Sequence, residues 1–128
     1  QKAEAAIRDY LAAVGESGDP EKAAALARQI EEMDLRDPGT LNEFAWAILT
    51  AETVRQRDLP LATRLAQKAL ELSESKDGNI LDTYARALFD SGRIAEAVEI
   101  QTQAVAALPG DAGLAATLER YRAAAPAE

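Results

Sequence analysis

The sequence predicts an all-α fold, a right-handed helical solenoid of about three antiparallel helix pairs with a C-terminal capping helix. The first reason is an internal repeat, since residues 43–77 resemble residues 78–111 at an offset that aligns Trp46 with Leu81. At that offset, apolar and small residues meet at the positions that a helix pair should bury. A period of roughly 34 residues built from two helices is typical of solenoids, in which each unit buries its apolar face against the next.

Composition is the second reason. Hydrophobic residues make up 48% of the 128 residues, while Gly and Pro number only 7 and 5, and this balance favours packed helices. The chain has no Cys and no His, which excludes thiol nucleophiles, imidazole catalysis, disulfides and Cys/His zinc sites. No base stands near a serine to activate it. We therefore expect a protein that is not an enzyme and holds no cofactor or metal.

Charge restricts the choice of partner. The net charge is −8 without a basic patch, so nucleic acid and anionic membrane surfaces would be repelled. The longest apolar run, Phe44–Leu49, is far shorter than the roughly 18 residues of a membrane span. The expected partner is a protein or peptide, including a second copy of the chain as a homodimer.

Seven helices account for almost the whole chain. Their predicted ranges are 2–15, 20–34, 41–56, 59–74, 79–91, 94–107 and 112–124. The links are short, so each helix should run antiparallel to its predecessor. Gly92 can end the fifth helix in a left-handed turn.

Local signals mark the helix starts. Asp19, Asp58 and Asp111 are N-cap candidates for the second, fourth and seventh helices. Thr40 and Glu43 match the S/T-x-x-E capping box and predict the start of the third helix.

The two ends of the chain differ from the central repeats. Residues 1–38 read as a divergent copy, in which Tyr10 aligns with Leu49 once a longer connection is allowed. Residues 112–125 form the capping helix, whose apolar face carries Leu114, Leu118 and Tyr121.

The central units match the motif W-x2-L-G-x2-Y, A-x3-F-x2-A and P. The matching positions are Trp46, Leu49, Ala62 and Ala69 in the first unit, and Leu81, Ala85, Leu88, Ala97, Ala104 and Pro109 in the second. The departures are Thr50 at the glycine, Ala66 and Gln101 at the second-helix Phe, and Glu74 at the proline. With these residues the chain resembles the tetratricopeptide repeat family. The resemblance implies a non-catalytic module that binds a peptide or partner domain in a concave groove, with altered spacing near Ala66 and Gln101.

A narrower resemblance covers residues 41–105. The strings LNEFAWAILT, RDLPLATRLAQKAL and ILDTYARALFDSGRIAEAVEIQTQAV are similar to the C-terminal repeats that follow a thioredoxin-like domain in many bacterial redox proteins. Similar repeats also follow some bacterial protein kinases. The redox resemblance implies an alternative function, as the assembly or client-presenting appendage of a thiol-disulfide oxidoreductase. Because the chain opens on Gln1, we expect a mature chain or an excised fragment, with the redox domain as a neighbour.

Two features outside the groove have competing interpretations. Trp46 is expected to lie buried between the two helices of its own unit, the alternative being a ring on which a ligand stacks. The cluster formed by Glu31, Glu32, Asp34 and Asp37 is expected to be a solvated acidic turn, since no spaced Asp-x-Asp-x-Asp-Gly loop supports calcium binding.

The candidate partner groove is formed by one side of the third and fifth helices. Its predicted residues are Phe44, Ala47, Ala51, Val54 and Arg55 on one helix, and Asn79, Asp82, Arg86 and Phe89 on the other. Alternatively, the N-terminal pair covers the apolar part. Asp82 and Arg86 stand four residues apart and can pair with each other. In the groove, Arg86 could instead hold a partner's carboxylate beside the Phe89 ring.

Overall fold

The computed structural model describes residues 2–15 and 18–125, and within them the chain is all-α. Its helices are α1 (Lys2–Ala13), α2 (Pro20–Glu32), α3 (Pro38–Thr50), α4 (Leu59–Leu72), α5 (Gly78–Asp90), α6 (Ile94–Ala107) and α7 (Ala112–Ala124). The predicted number and order of helices are confirmed. None of these helices is long and apolar enough to span a bilayer.

Aspartate begins most of the helices. Five of the seven helices have an N-cap Asp whose side chain accepts a hydrogen bond from a backbone N–H of the first turn: Asp19, Asp37, Asp58, Asp77 and Asp111. Each carboxylate satisfies an otherwise unpaired donor and lies at the positive end of the helix dipole. The predicted caps at Asp19, Asp58 and Asp111 are therefore confirmed.

The predicted bounds of the third helix were wrong at both ends. Asp37, not Thr40, is the N-cap, and the Thr40 hydroxyl lies inside the first turn, donating to Asp37 Oδ2 at 2.7 Å. At the other end the helix stops at Thr50. There the guanidinium of Arg57 donates to the carbonyls of Ile48 and Ala51 at 2.7 and 2.9 Å. This side chain satisfies carbonyls that a longer helix would have paired internally.

Successive helices pack as antiparallel hairpins. α1 packs on α2, α3 on α4 and α5 on α6, while α4 and α3 both contact α5 and α7 closes the end on α6. This helix-pair packing is consistent with a helical repeat. Eight helical alanines are fully buried: Ala45, Ala62, Ala66, Ala69, Ala85, Ala87, Ala97 and Ala104. Small side chains at buried positions let helices pack closely.

Two ion pairs join the first helix pair to the second. Arg64 of α4 donates through Nε and Nη2 to both carboxylate oxygens of Glu31 at 3.0 and 2.9 Å, and Lys68 donates to Asp34 at 2.7 Å. The hydrogen bond from Lys68, with a further one from Arg36, lowers the pKa of the Asp34 carboxyl. All four residues of the acidic cluster are exposed, as expected for a solvated turn, and two of them are also paired with bases.

Residues in the left-handed region follow three of the helices, beginning with Asp34 after α2, whose φ is 50°. Gly92 ends α5 with φ 85°, as predicted, and Arg93 N–H donates to Leu88 O at 2.9 Å. After α4, the same pattern of bonds is made by Glu74 and Ser75, whose φ values are 62° and 61°. A non-glycine residue at such a position carries backbone strain, because its Cβ crowds the neighbouring carbonyl.

Replacing Ala97 with Leu is expected to destabilise the fold by about 1–3 kcal/mol, since the side chain is fully buried and a larger one must displace its neighbours. The matched control is Ala106→Leu on the exposed side of the same helix. Urea unfolding followed by circular dichroism at 222 nm measures both. Equal losses for the two variants would contradict the assigned helix faces.

Replacing Glu74 with Gly is expected to stabilise the protein by up to about 1 kcal/mol. Relief of roughly 1–2 kcal/mol of left-handed strain exceeds the roughly 0.4–1 kcal/mol that a glycine costs through the unfolded chain. The control Gln67→Gly, on the exposed face of α4, should instead lose about 1 kcal/mol. A lower melting temperature for Glu74→Gly would show that the left-handed turn is not strained.

Candidate partner-binding clefts

The first helices of the three pairs border two open clefts. The apolar cleft lies between α1 and α3 and has a volume of about 450 Å³. Its lining residues are Glu4, Ile7, Arg8, Leu11, Thr40, Glu43, Phe44 and Ala47. The backbones of α1 and α3 hardly approach each other, whereas those of α3 and α5 do, which fits the larger cleft lying between α1 and α3.

The acidic cleft lies on the other side of α3, against α5, with a volume of about 250 Å³. Its lining residues are Asn42, Glu43, Trp46, Asn79, Asp82 and Thr83. Glu43 borders both clefts, so the two adjoin along α3 and one extended ligand could reach from one into the other.

Trp46 is not buried between the helices of its unit, and the prediction was wrong. The side chain is 39% exposed, the one large hydrophobic residue so exposed in the described part of the chain. The buried side of α3 is instead formed by Leu41, Phe44, Ala45, Ile48 and Leu49. A sequence signal existed, since Asn42, Glu43 and Thr50 place polar neighbours three or four residues from the indole.

Two members of the predicted groove are covered. Phe44 is 1% exposed and meets Tyr10 of α1 edge-on, with centroids 5.4 Å apart, and Val54 is 5% exposed. Burial, with a smaller contribution from the Asp58 charge, raises the pKa of Tyr10 to about 12. The N-terminal pair therefore covers this apolar part, as the alternative interpretation held.

The remaining predicted residues of α3 and the segment after it lie apart from one another. Ala47 lines the apolar cleft, half-buried. Ala51 is the C-cap of α3, and its N–H donates to Ala47 O at 3.0 Å. Arg55 lies beyond the helix end, exposed, where its backbone N–H donates to Val14 O at 2.8 Å. Only Ala47 of these three borders a cleft.

The predicted residues of α5 divide between two surroundings. Asn79 and Asp82 line the acidic cleft. Arg86 does not pair with Asp82, because its Nε donates to Asp90 Oδ2 at 2.9 Å. Phe89 stacks on Tyr121 of α7 with centroids 4.3 Å apart. These last two side chains serve the packing at the C-terminal end of the fold, not a free surface.

A buried polar link holds Asp82 in place. Gln101 is fully buried, and its Nε2 donates to Asp82 Oδ1 at 2.9 Å and to Leu114 O at 3.1 Å. Gln101 thus joins α5, α6 and α7. From its place at the Phe position of the motif, only a loss of side-chain volume was expected. Burial raises the pKa of the Asp82 carboxyl, since desolvation outweighs the hydrogen bond from Gln101.

One hydrogen-bond acceptor beside the acidic cleft has no partner. Asn42 Oδ1 is buried and accepts no hydrogen bond, and in the described ranges only Gln101 Oε1 shares that condition. Leaving a buried acceptor unpaired costs free energy, so Asn42 lowers the stability of the fold at this position.

The chain matches no model of a known protein family, and it has no significant match among curated proteins. Across residues 2–15 and 18–125, no three carboxylates gather closely enough to hold a metal ion. The candidate site is therefore defined by the two clefts.

Asp82→Asn is expected to raise the melting temperature at neutral pH. A carboxyl whose folded pKa lies above its unfolded value of 3.8 destabilises the fold once ionised, and the amide removes that charge while still accepting from Gln101. The difference between variant and wild type should begin to shrink as the pH falls through the raised folded pKa, and it should vanish below the unfolded value of 3.8. A lower melting temperature for Asp82→Asn at neutral pH would show that the ionised carboxylate stabilises the fold.

Fluorescence of Trp46, the single Trp of the chain, reports the electrostatics of the acidic cleft. We expect Cs⁺ to quench the native emission more strongly than I⁻, because Glu43 and Asp82 attract cations to the exposed ring. In the double variant Glu43→Gln/Asp82→Asn, the ratio of the two Stern–Volmer constants should fall towards that of N-acetyltryptophanamide. Blue-shifted native emission that neither ion quenches would show that the ring is buried in the core.

Proposed function

We propose that this chain is a non-catalytic protein-interaction module of the tetratricopeptide type. In this proposal the helix pairs wind into a right-handed solenoid, and α1, α3 and α5 form its concave side. The ligand is an extended or helical peptide, or a segment of a partner domain, and no cofactor takes part. The observation that carries the proposal is the pair of adjoining clefts on these three helices.

The chemistry of the clefts supports peptide recognition. Ile7 and Leu11 of α1 and Ala47 of α3 offer apolar contacts to a hydrophobic anchor residue. The neighbouring acidic cleft offers carboxylates, amides and an exposed indole, which add specificity through hydrogen bonds and ring contacts. Preformed clefts lower the entropic cost of binding, because the walls are held by a packed core.

The alternative function uses the same face. If the chain serves as the appendage of a thioredoxin-like oxidoreductase, a segment of the neighbouring domain or its client occupies the clefts in place of a separate peptide. A second copy of the chain is a further possible occupant. In this proposal the same residues of the two clefts hold the occupant, whether it is a peptide, a neighbouring domain, its client or a second copy of the chain.

Panning of randomised displayed dodecapeptides against the chain tests the proposal. Peptides selected on the wild type should lose affinity at least about tenfold for Ala47→Arg, because the long charged side chain fills the apolar cleft. The matched control is Ala116→Arg on the exposed side of α7, which should bind as the wild type does.

Circular dichroism of both variants checks that the fold is retained. Selected peptides that bind Ala47→Arg and wild type equally would place the working surface elsewhere, and failure to enrich any peptide would argue against a peptide ligand.

A further inference from the structure

We propose that the acidic cleft is a subsite for an arginine side chain of the bound peptide or partner segment. This inference rests on the proposed function and names the chemistry that one of its two clefts recognises. The candidate residues are Trp46, Glu43, Asp82 and Asn42, which lie on facing sides of α3 and α5.

The exposed indole is the first reason. Trp46 is 39% exposed, and contact with water does not stabilise a large apolar ring. The ring lies in a cleft with two carboxylates. A cation placed over the face of Trp is attracted by the ring quadrupole, and Trp is the best of the aromatic side chains for this contact. A guanidinium also stacks on the ring plane, which an ammonium cannot do.

Charge complementarity is the second reason. The lining contains Glu43 and Asp82 and no Lys or Arg. Arg86 of α5 donates to Asp90, and Arg120 lies 5.7 Å from the ring of Tyr121; both act on Asp82 only through their charge, without a hydrogen bond to it. The cleft therefore presents negative charge that no side chain of the lining neutralises.

The supply of hydrogen-bond acceptors is the third reason. Gln101 orients Asp82 through Oδ1, so Asp82 Oδ2 and the Glu43 carboxylate are left as acceptors. The Thr83 hydroxyl donates to Asn79 O at 3.1 Å, so it is turned towards its own helix. A planar group with five N–H donors matches a cleft rich in acceptors better than a hydrophobic or anionic group does.

The adjoining apolar cleft gives the subsite its context. Because Glu43 borders both clefts, a hydrophobic residue in the apolar cleft and an arginine in the acidic cleft would contact opposite sides of one glutamate. The recognised sequence thus combines a hydrophobic anchor with a nearby arginine.

The test uses Nα-acetyl-arginine methylamide as the probe, with the citrulline analogue as the neutral isostere. Titrations are followed by Trp46 fluorescence and by ¹H–¹⁵N spectra of the whole chain. We expect the arginine probe to shift the Trp46 indole signal and the amides of residues 42–46 and 79–83, and the citrulline probe to bind at least about fivefold more weakly.

Charge variants complete the test. Asp82→Asn and Glu43→Gln should each weaken binding of the arginine probe at least about threefold, whereas Glu99→Gln, exposed on α6, should leave it unchanged. Equal binding of arginine and citrulline, or shifts mapping outside the cleft, would overturn the inference. Preference for the lysine analogue would overturn the guanidinium assignment.

The outcome is separable from that of the proposed function. If selected dodecapeptides depend on Ala47 but the arginine probe does not bind, the peptide groove stands and the arginine subsite is wrong. If the probe binds in the acidic cleft while no peptide depends on Ala47, the subsite stands and the extended groove is wrong.

Discussion

Close approach of neighbouring helices at buried alanines is the constraint on which this structure depends. Ala62 and Ala97 lie in the first turns of α4 and α6 without any exposed surface, and Ala69 and Ala104 repeat the arrangement two turns later. Small side chains let antiparallel helices pack tightly, and the short connections leave few other arrangements. Once the pairs are fixed, the opposite sides of α3 and α5 are left to form the walls of the clefts.

Polar side chains are then used for three distinct purposes. Aspartates at helix starts satisfy backbone donors, which is a local role. Glu31 and Asp34 join helix pairs through Arg64 and Lys68, on a surface where each pair contributes little by itself. Asp82 differs, because it is partly buried, its pKa is raised, and it faces an open cleft. A charge kept where burial opposes it is typical of binding sites, which often sacrifice stability.

The sequence could have indicated part of the candidate site. Asn42, Glu43 and Trp46 share one helical face, so their spacing indicated a common surface. The prediction followed the repeat motif instead and placed Trp46 in the core. Asn79 and Asp82 also share a helical face, and both line the acidic cleft. Asp82 lies four residues before Arg86 and Asp90 four residues after it, so spacing alone did not show which carboxylate Arg86 binds. The packing of Asp90 and Phe89 in the folded chain decides for Asp90.

What the sequence determined by itself was local: the number and order of helices, the Asp starts of α2, α4 and α7, the Gly92 stop and the small-residue stripe. These follow from backbone hydrogen bonding and helical periodicity, which act within one or two turns. Tertiary structure alone decided that Phe44 lies under α1, that Arg57 ends α3, and that Gln101 holds Asp82. The positions of Phe44 and Gln101 depend on side chains from other helices, reached only after the helices have packed, and no local pattern encodes that distance. Arg57 folds back from the connection onto α3 carbonyls six and nine residues before it, a contact that helical periodicity does not predict.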